Sequence, residues 1–597
     1  MAEGGPTGPD GGDLPSRLAD TGAAGAPERV SHSARRSAAL YVAIPLFVAM
    51  YAAASGGLSF AGVASYLPTA SVDVSYSFLR MAAAYFASLG FALAYGYYAA
   101  THRTGERVMI PILDILQSIP ILGFFPFALI FFAGLTPGSW PGVNLASVFL
   151  IFTSMAWNMV FGVYESLKTL PAELKEVSDT FRLRGFLLFR RVLFPATINR
   201  LVYNSVLSWT AGWFFLVEAE IFTTNSSQAL PGIGSFLSFA ASGHNGQAFL
   251  AGIFVLIVLI ALLDFAVWRP LGKWAQRFRY DTAPSGEGEV GPASGPAGRF
   301  RRVAAYVTRG VRTGVSRIST PLVQLASITR APAPRSERRL ALVSYVEVGA
   351  ILVLGWLILI AIIVAVYNVF SGPVLPGVWA QIASLPLAMG ASALRVTAAY
   401  LVCLAVSLPL AMWLARSQRA ARFGMPTVEV IASFPATALF PVIIFELIPY
   451  LTPEGAAVLM LVTGMMWYLF FNILSGIRAL PPDLEEAATS FGVRGWKRFT
   501  RVVLPGIFPA LITGSITAFG GGWNTLIVAE YLSVSHSQTL SLFGVGRAID
   551  LGYALPGRTG YPLMVAGLLT LVATVVAINE LIWKPLYRRA VDKYRVD

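Results

Sequence analysis

Runs of about 20 apolar residues, separated by short polar turns, recur from residue 37 to residue 583 and leave the chain few ways to fold. Backbone inside hydrocarbon has no water to bond to. A chain with many such runs therefore satisfies its N–H and C=O groups within helices. The expected fold class is an all-α polytopic membrane protein. Spans are expected near 37–56, 75–100, 108–133, 143–167, 198–222 and 248–268, and again near 347–370, 389–415, 425–450, 455–478, 506–532 and 562–583. The composition fits, since 56% hydrophobic and 13% charged residues, with a mean hydropathy of +0.65, lie outside the range of soluble domains.

The polar stretches between these spans alternate between two sets. One contains THRTGER, the Arg-rich 182–200, the stretch 269–346, ARSQRAARF, WKRFTR and KPLYRRAVDKYR; the other contains GLTPGSWPGVN and SGPVLPGVWAQIAS, without Lys or Arg. Positive loops stay inside. The expected topology is thus a multi-pass protein of the plasma (inner) membrane with both termini cytoplasmic. Topology accounts for the net charge of +13, so membrane lipid is an expected partner and nucleic acid is not. Four regions follow: a disordered cytoplasmic tail at 1–36, a six-helix unit at 37–268, a basic cytoplasmic linker at 269–346 and a second six-helix unit at 347–597. Cys403, the only cysteine, sits in an apolar stretch and reads as a packing residue.

An internal repeat ties the two units together. PILDILQSIPILGFFP from Pro111 returns as PTVEVIASFPATALFP from Pro426, 315 residues later, and Arg80 and Tyr85 match Arg395 and Tyr400 at the same offset. Further on, Trp157, Pro171, Gly185, Pro195, Trp213 and Glu220 match Trp467, Pro481, Gly495, Pro505, Trp523 and Glu530 at an offset of 310. Six helices per repeat give both copies the same orientation, so the repeats are parallel and the expected axis runs along the membrane normal.

Between the expected tenth and eleventh spans lies RALPPDLEEAATSFGVRGWKRFTRVVLPG, too polar to cross a bilayer. Pro481 and Pro482 suit a helix start, and Asp483, Glu485 and Glu486 favour its positive end, with Gly492 as a stop. Trp496, Phe499, Val502 and Val503 then suggest an amphipathic piece at the membrane surface. Glu486-Ala487-Ala488, Gly492 and the closing Leu504-Pro505 resemble the EAA loop of binding-protein-dependent ABC transporter permeases of the MetI-like type. The first unit departs from that pattern, with Glu176-Val177-Ser178 and Arg182 at the glycine position, although Gly185 is kept. An asymmetric pair of loops is the expectation. The resemblance implies a type I ABC importer permease fold, two ATPase subunits docked on the loops and an extracytoplasmic solute-binding protein. ATP-Mg would be held by the ATPases, and no cofactor by this chain. GGGWNTLIVAEYLS, echoed by AGWFFLVEAEIF, is most similar to permeases for nitrate, sulfonate, taurine or bicarbonate, which implies a small anionic solute.

Trp213 and Glu220 share a helix face, as do Trp523 and Glu530. Together with Glu218 these acids either face a water-filled path or anchor helix ends at the outer interface. Arg80 and Arg395 either attract an anionic solute or snorkel and pair with a nearby acid, the latter being preferred. The chain has no G-x-x-x-x-G-K-[ST] phosphate loop, and its four histidines lack metal-ligand spacing, so the chain is not expected to be an enzyme. A gradient-driven secondary transporter is the alternative; it would need charge relays or helices broken mid-span.

Overall fold

The computed structural model describes Tyr367 and residues 59–278 and 371–594, apart from 136–139, 184, 225–229, 372–373, 449, 532–541 and 557. The tail, most of the linker and nearly all of the first expected span of each unit, at 37–56 and 347–370, lie outside these residues. The regular structure described is helical, with no strand among the described residues. Seven described helices are long and apolar enough to cross a membrane, or eight if the bent pair Thr427–Ser433 and Ala436–Leu447 is one span. Helix Phe194–Thr224, the twin of the candidate span Gly495–Glu530, carries Asn199, Arg200, Asn204, Glu218 and Glu220 and is not among them.

The helices differ from expectation in four ways. Spans expected to begin at 75 and 389 begin at Phe60 and Pro376, giving helices of 42 and 41 residues. At about 1.5 Å per residue these are roughly twice as long as the hydrocarbon core is thick. The Ser59 side chain caps the first helix, and Ser65, Ser71 and Ser75 return their hydroxyls to the carbonyls of Gly62, Leu67 and Ser71. Polar residues that look like a loop are thereby absorbed into the helix.

The third span of each unit is broken, not continuous. Helix Arg103–Ser118 stops at Ile119, which is extended (ψ 126°) because Pro120 disfavours the helical region for its predecessor. A tight turn, Ile121–Phe124, then leads into Phe125–Leu135. Pro435 does the same after Gln418–Ser433, and the two pieces there meet at 77°.

Residues 496–503 do not form a separate surface helix. From Gly495 to Tyr531 the chain stays helical through one wide turn, Phe499–Val503, which buries Phe499 and Val503 and leaves Trp496 exposed. The helix starting at Gly246 likewise runs past the expected boundary at 268 to Phe278.

The two halves share a core cluster. Phe125, Leu150 and Phe222 of the first half cluster with Met465, Trp523 and Ile527 of the second. Phe214 meets Phe440 edge-on at 6.3 Å, Thr437 donates to the Phe214 carbonyl, and the Leu122 N–H donates to Asn524 Oδ1. Gly123 sits where a Cβ would touch Leu568, Leu571 and Ile527 at 3.2–3.3 Å, so glycine lets the halves approach closely.

Candidate functional site

Two buried ionic clusters, one per half, organise the ends of the long helices. In the first, Glu220 accepts from Arg80 Nη1 (2.7 Å), Ser77 Oγ (2.7 Å) and the Gly234 N–H (2.8 Å); Arg80 also donates to Asn144 Oδ1 (2.7 Å) and the Pro231 carbonyl (2.8 Å). The second repeats it. Glu530 accepts from Arg395 Nη1 (2.6 Å), Ser392 Oγ (2.7 Å) and the Gly546 N–H (2.8 Å), while Arg395 also reaches Glu454 and the Phe543 carbonyl (2.9 Å). In each case the carboxylate caps the N-terminus of a short helix, Ile233–Ser242 or Val545–Ala554, where free N–H groups and the dipole favour negative charge. A Cβ on Gly232 or Gly544 would lie 2.2–2.5 Å from that carboxylate, so both positions require glycine.

The clusters join the long second helix, the fifth helix and a short helix that the sequence reading did not anticipate. The arginines and glutamates named as pathway candidates are therefore partnered with each other; the arginines are 5–6% exposed and Glu220 and Glu530 at most 2%. Trp213 packs edge-on against Trp209 in the first-half core, and Trp523 lies in the shared core. None of these six residues lines the cavity between the halves, whose walls include Phe125, Glu218, Phe222, Val528 and Asp550.

The two EAA-like segments form nine-residue helices, Ala172–Thr180 and Pro482–Ser490. Their ends match bond for bond: Leu183 and Val493 donate to the Ser178 and Ala488 carbonyls (2.9 and 2.8 Å), and Arg182 and Gly492 to Asp179 and Thr489 (3.0 Å each). This C-cap needs a left-handed residue, and Arg182 adopts φ 51° where Gly492 has φ 65°. Ser178 is buried like Ala488, and its hydroxyl is satisfied by the Leu174 carbonyl (2.6 Å). The sequence departures of the first loop thus leave its backbone unchanged. Glu176, Val177, Glu486 and Ala487 are exposed, as are Phe181 (72%) and Phe491 (85%); Glu485 lies on the same helix, and Gly185 and Gly495 open the next one. Arg182→Gly is expected to stabilise the first loop by ~1 kcal/mol by removing the left-handed penalty. Hydrogen exchange over 172–183 should slow, and unchanged exchange would argue against strain there.

The family described as binding-protein-dependent transport system inner membrane component matches the chain twice, over residues 88–267 and 407–581, which is more than half of it. The chain belongs to this family. Among similar proteins, the glycine betaine/proline betaine transport system permease protein of Escherichia coli (strain K12) is 30% identical over 189 residues, covering 32% of this chain and 50% of that protein. A putative aliphatic sulfonates transport permease protein of the same organism is 32% identical over 141 residues, covering 22% and 52%. The nitrate import permease protein of Leptolyngbya laminosa is 26% identical over 201 residues, covering 33% and 67%. The chain spans about half the length of the two Escherichia coli relatives. Two copies of the family's unit stand in this one permease chain, an all-α polytopic membrane protein.

The permease also ties its broken third span to the fourth. Glu106 accepts from Lys168 Nζ and the Tyr164 hydroxyl, each at 2.6 Å. Lys168 first, then Tyr164, hold its carboxyl below the usual value of 4.5. A carboxyl depressed on folding contributes stability above its ordinary pKa, and that contribution is lost as pH falls through the lowered value. Exchange protection of 103–118 should therefore fall below pH ~4.5 in the wild type, and this acid step should be absent in Glu106→Gln.

Proposed function

We propose that this chain is the transmembrane subunit of an ATP-driven importer, supplying both halves of the translocation pathway in one polypeptide. The observation that carries this reading is the pair of nine-residue helices with matching caps, each presenting exposed acidic and apolar side chains at the same place in its repeat. Such a helix suits a cleft on an ATPase subunit, one per half. The wide turns at Phe189–Leu193 and Phe499–Val503 join the segment after each coupling helix to the fifth span of its half, so a push at the cleft travels as a rigid displacement. ATP-Mg is bound and hydrolysed on the two ATPase subunits, and a solute-binding protein delivers from the opposite face. The membrane is the plasma membrane with both termini cytoplasmic, and the units are 37–268 and 347–597, joined by the basic linker 269–346.

The solute belongs to the small charged compounds for which relatives are named, sulfonates, nitrate, taurine and betaines among them. Arg80 and Arg395 do not support a strictly anionic solute, because each is held by a buried glutamate.

The test is recovery of the tagged full chain from its native membrane. An ATPase subunit should co-purify with the wild type and fall ~10-fold or more in Glu486→Arg, which reverses a charge at the cleft. Absence of any ATPase after mild cross-linking would overturn the importer reading in favour of a gradient-driven carrier, whose expected mark, a helix broken mid-span at matched positions, is present at Pro120 and Pro435.

A further inference from the structure

We propose that Glu218 faces the translocation path and receives the cationic end of a solute bearing an ammonium-type group. For its solute, this inference rests on the importer reading above. Glu218 is 1% exposed, and neither of its carboxylate oxygens has a hydrogen-bond partner among the described residues. Glu220, one turn-half away on the same helix, is by contrast bonded to a serine, an arginine and a backbone N–H. A buried, unpartnered carboxylate is costly, and inside a membrane protein such a group ordinarily serves a ligand or a path.

Its surroundings specify the ligand. Glu218 lines the cavity between the halves, together with Phe125 and Phe222 from its own half and Val528, Ile549 and Asp550 from the other. The repeat offset of 310 makes Val528 the counterpart of Glu218, so the fold at this position is satisfied by an apolar side chain and does not require the carboxylate. The nearby cation is already committed, since Arg547 is paired with Asp550 at 2.6 Å. A carboxylate beside aromatic walls is the chemistry that holds an organic ammonium. A bare metal ion would need several oxygen or nitrogen ligands, and no group of three His, Cys, Asp or Glu forms such a set among the described residues. The cavity has room for about one water molecule, so the solute enters as the halves part.

The test uses the full chain in membrane vesicles of both orientations, with Cys403→Ala removing the only cysteine and Val528→Cys as reporter. Two impermeant methanethiosulfonates are compared, one bearing trimethylammonium and one bearing sulfonate. The reporter should react in at least one orientation, with the cationic reagent favoured. Glu218→Gln should lower the cation-to-anion rate ratio ~10-fold, and Glu218→Asp, which keeps the charge, should retain most of it. Tetramethylammonium chloride should slow the reaction more than sodium methanesulfonate does. No reaction in either orientation, an unchanged ratio in Glu218→Gln, or equal protection by the two salts would overturn the proposal. The vesicles are native membranes that keep their ATPase subunits, so the halves can part, and the readouts are reagent rates and their ratios, not subunit recovery, so failure here is distinct from failure of the co-purification.

Discussion

Replacing Glu220 or Glu530 with alanine is expected to destabilise the permease by about 3–5 kcal/mol, because the arginine left behind is buried without its counter-charge. The loss has three parts: the ionic contact, the bond to Ser77 or Ser392, and the cap on the short helix. Thermal unfolding in lipid nanodiscs should read it, and protease sensitivity should rise near Gly232 or Gly544. Removing both charges together, as in Arg80→Met with Glu220→Met, should cost less than the sum of the single changes, since neither residue is then left alone. Additive losses would mean that the pair is not coupled. The second half should tolerate the change slightly better, because Arg395 keeps the charged Glu454 as a direct partner whereas Arg80 keeps the neutral Asn144 and the Pro231 carbonyl.

The second large effect is expected at the coupling helices. Phe491 is 85% exposed and Phe181 72%, each following its helix at the left-handed turn. Aromatic anchors of this kind carry much of an interface's binding energy. Phe491→Ala should weaken binding of the ATPase subunit by about 2 kcal/mol, roughly 30-fold in Kd, with little change in unfolding temperature. Phe181→Ala should do the same at the other cleft. Titration of purified ATPase onto permease in nanodiscs measures both, and the loop asymmetry expected from the sequence would appear as unequal losses. Binding unaffected by either change would remove these side chains from the interface.

Much of this was legible in the sequence. The apolar runs, the repeat offsets and the Glu486-Ala487-Ala488 segment pointed to the helical class, to two copies of one unit and to the short helix Pro482–Ser490 with its twin Ala172–Thr180. The breaks at Pro120 and Pro435 were visible as prolines, but a proline in an apolar run does not by itself say whether the helix bends or stops. The absorption of residues 60–74 into a long helix was hidden, because serines read as loop formers until their hydroxyls are seen bonding back to carbonyls. Sequence favoured snorkelling or pairing with an acid for Arg80, and only the tertiary approach of Glu220, 140 residues away, shows which acid it is. The short helices had a faint signal in Gly232-Ile-Gly234 and Gly544-Val-Gly546, a repeated pair of glycines just after the fifth span of each unit. The distinction between Glu218 and Glu220 was readable only in part: the repeat matches Glu220 to Glu530 and Glu218 to Val528, but only packing sends one into the ionic cluster and the other toward the opposite half.

Having both units in one polypeptide frees matched positions to diverge. In a permease assembled from two identical chains, every side chain near the axis appears twice, so a glutamate there would confront its own copy and the two like charges would repel. Here Glu218 stands against Val528, Asn144 against Glu454, and Arg182 against Gly492. An acid in the cavity between the halves that has no copy of itself at the matching position is an arrangement that strict two-fold symmetry forbids, and it lets the two halves present unlike walls to whatever enters between them.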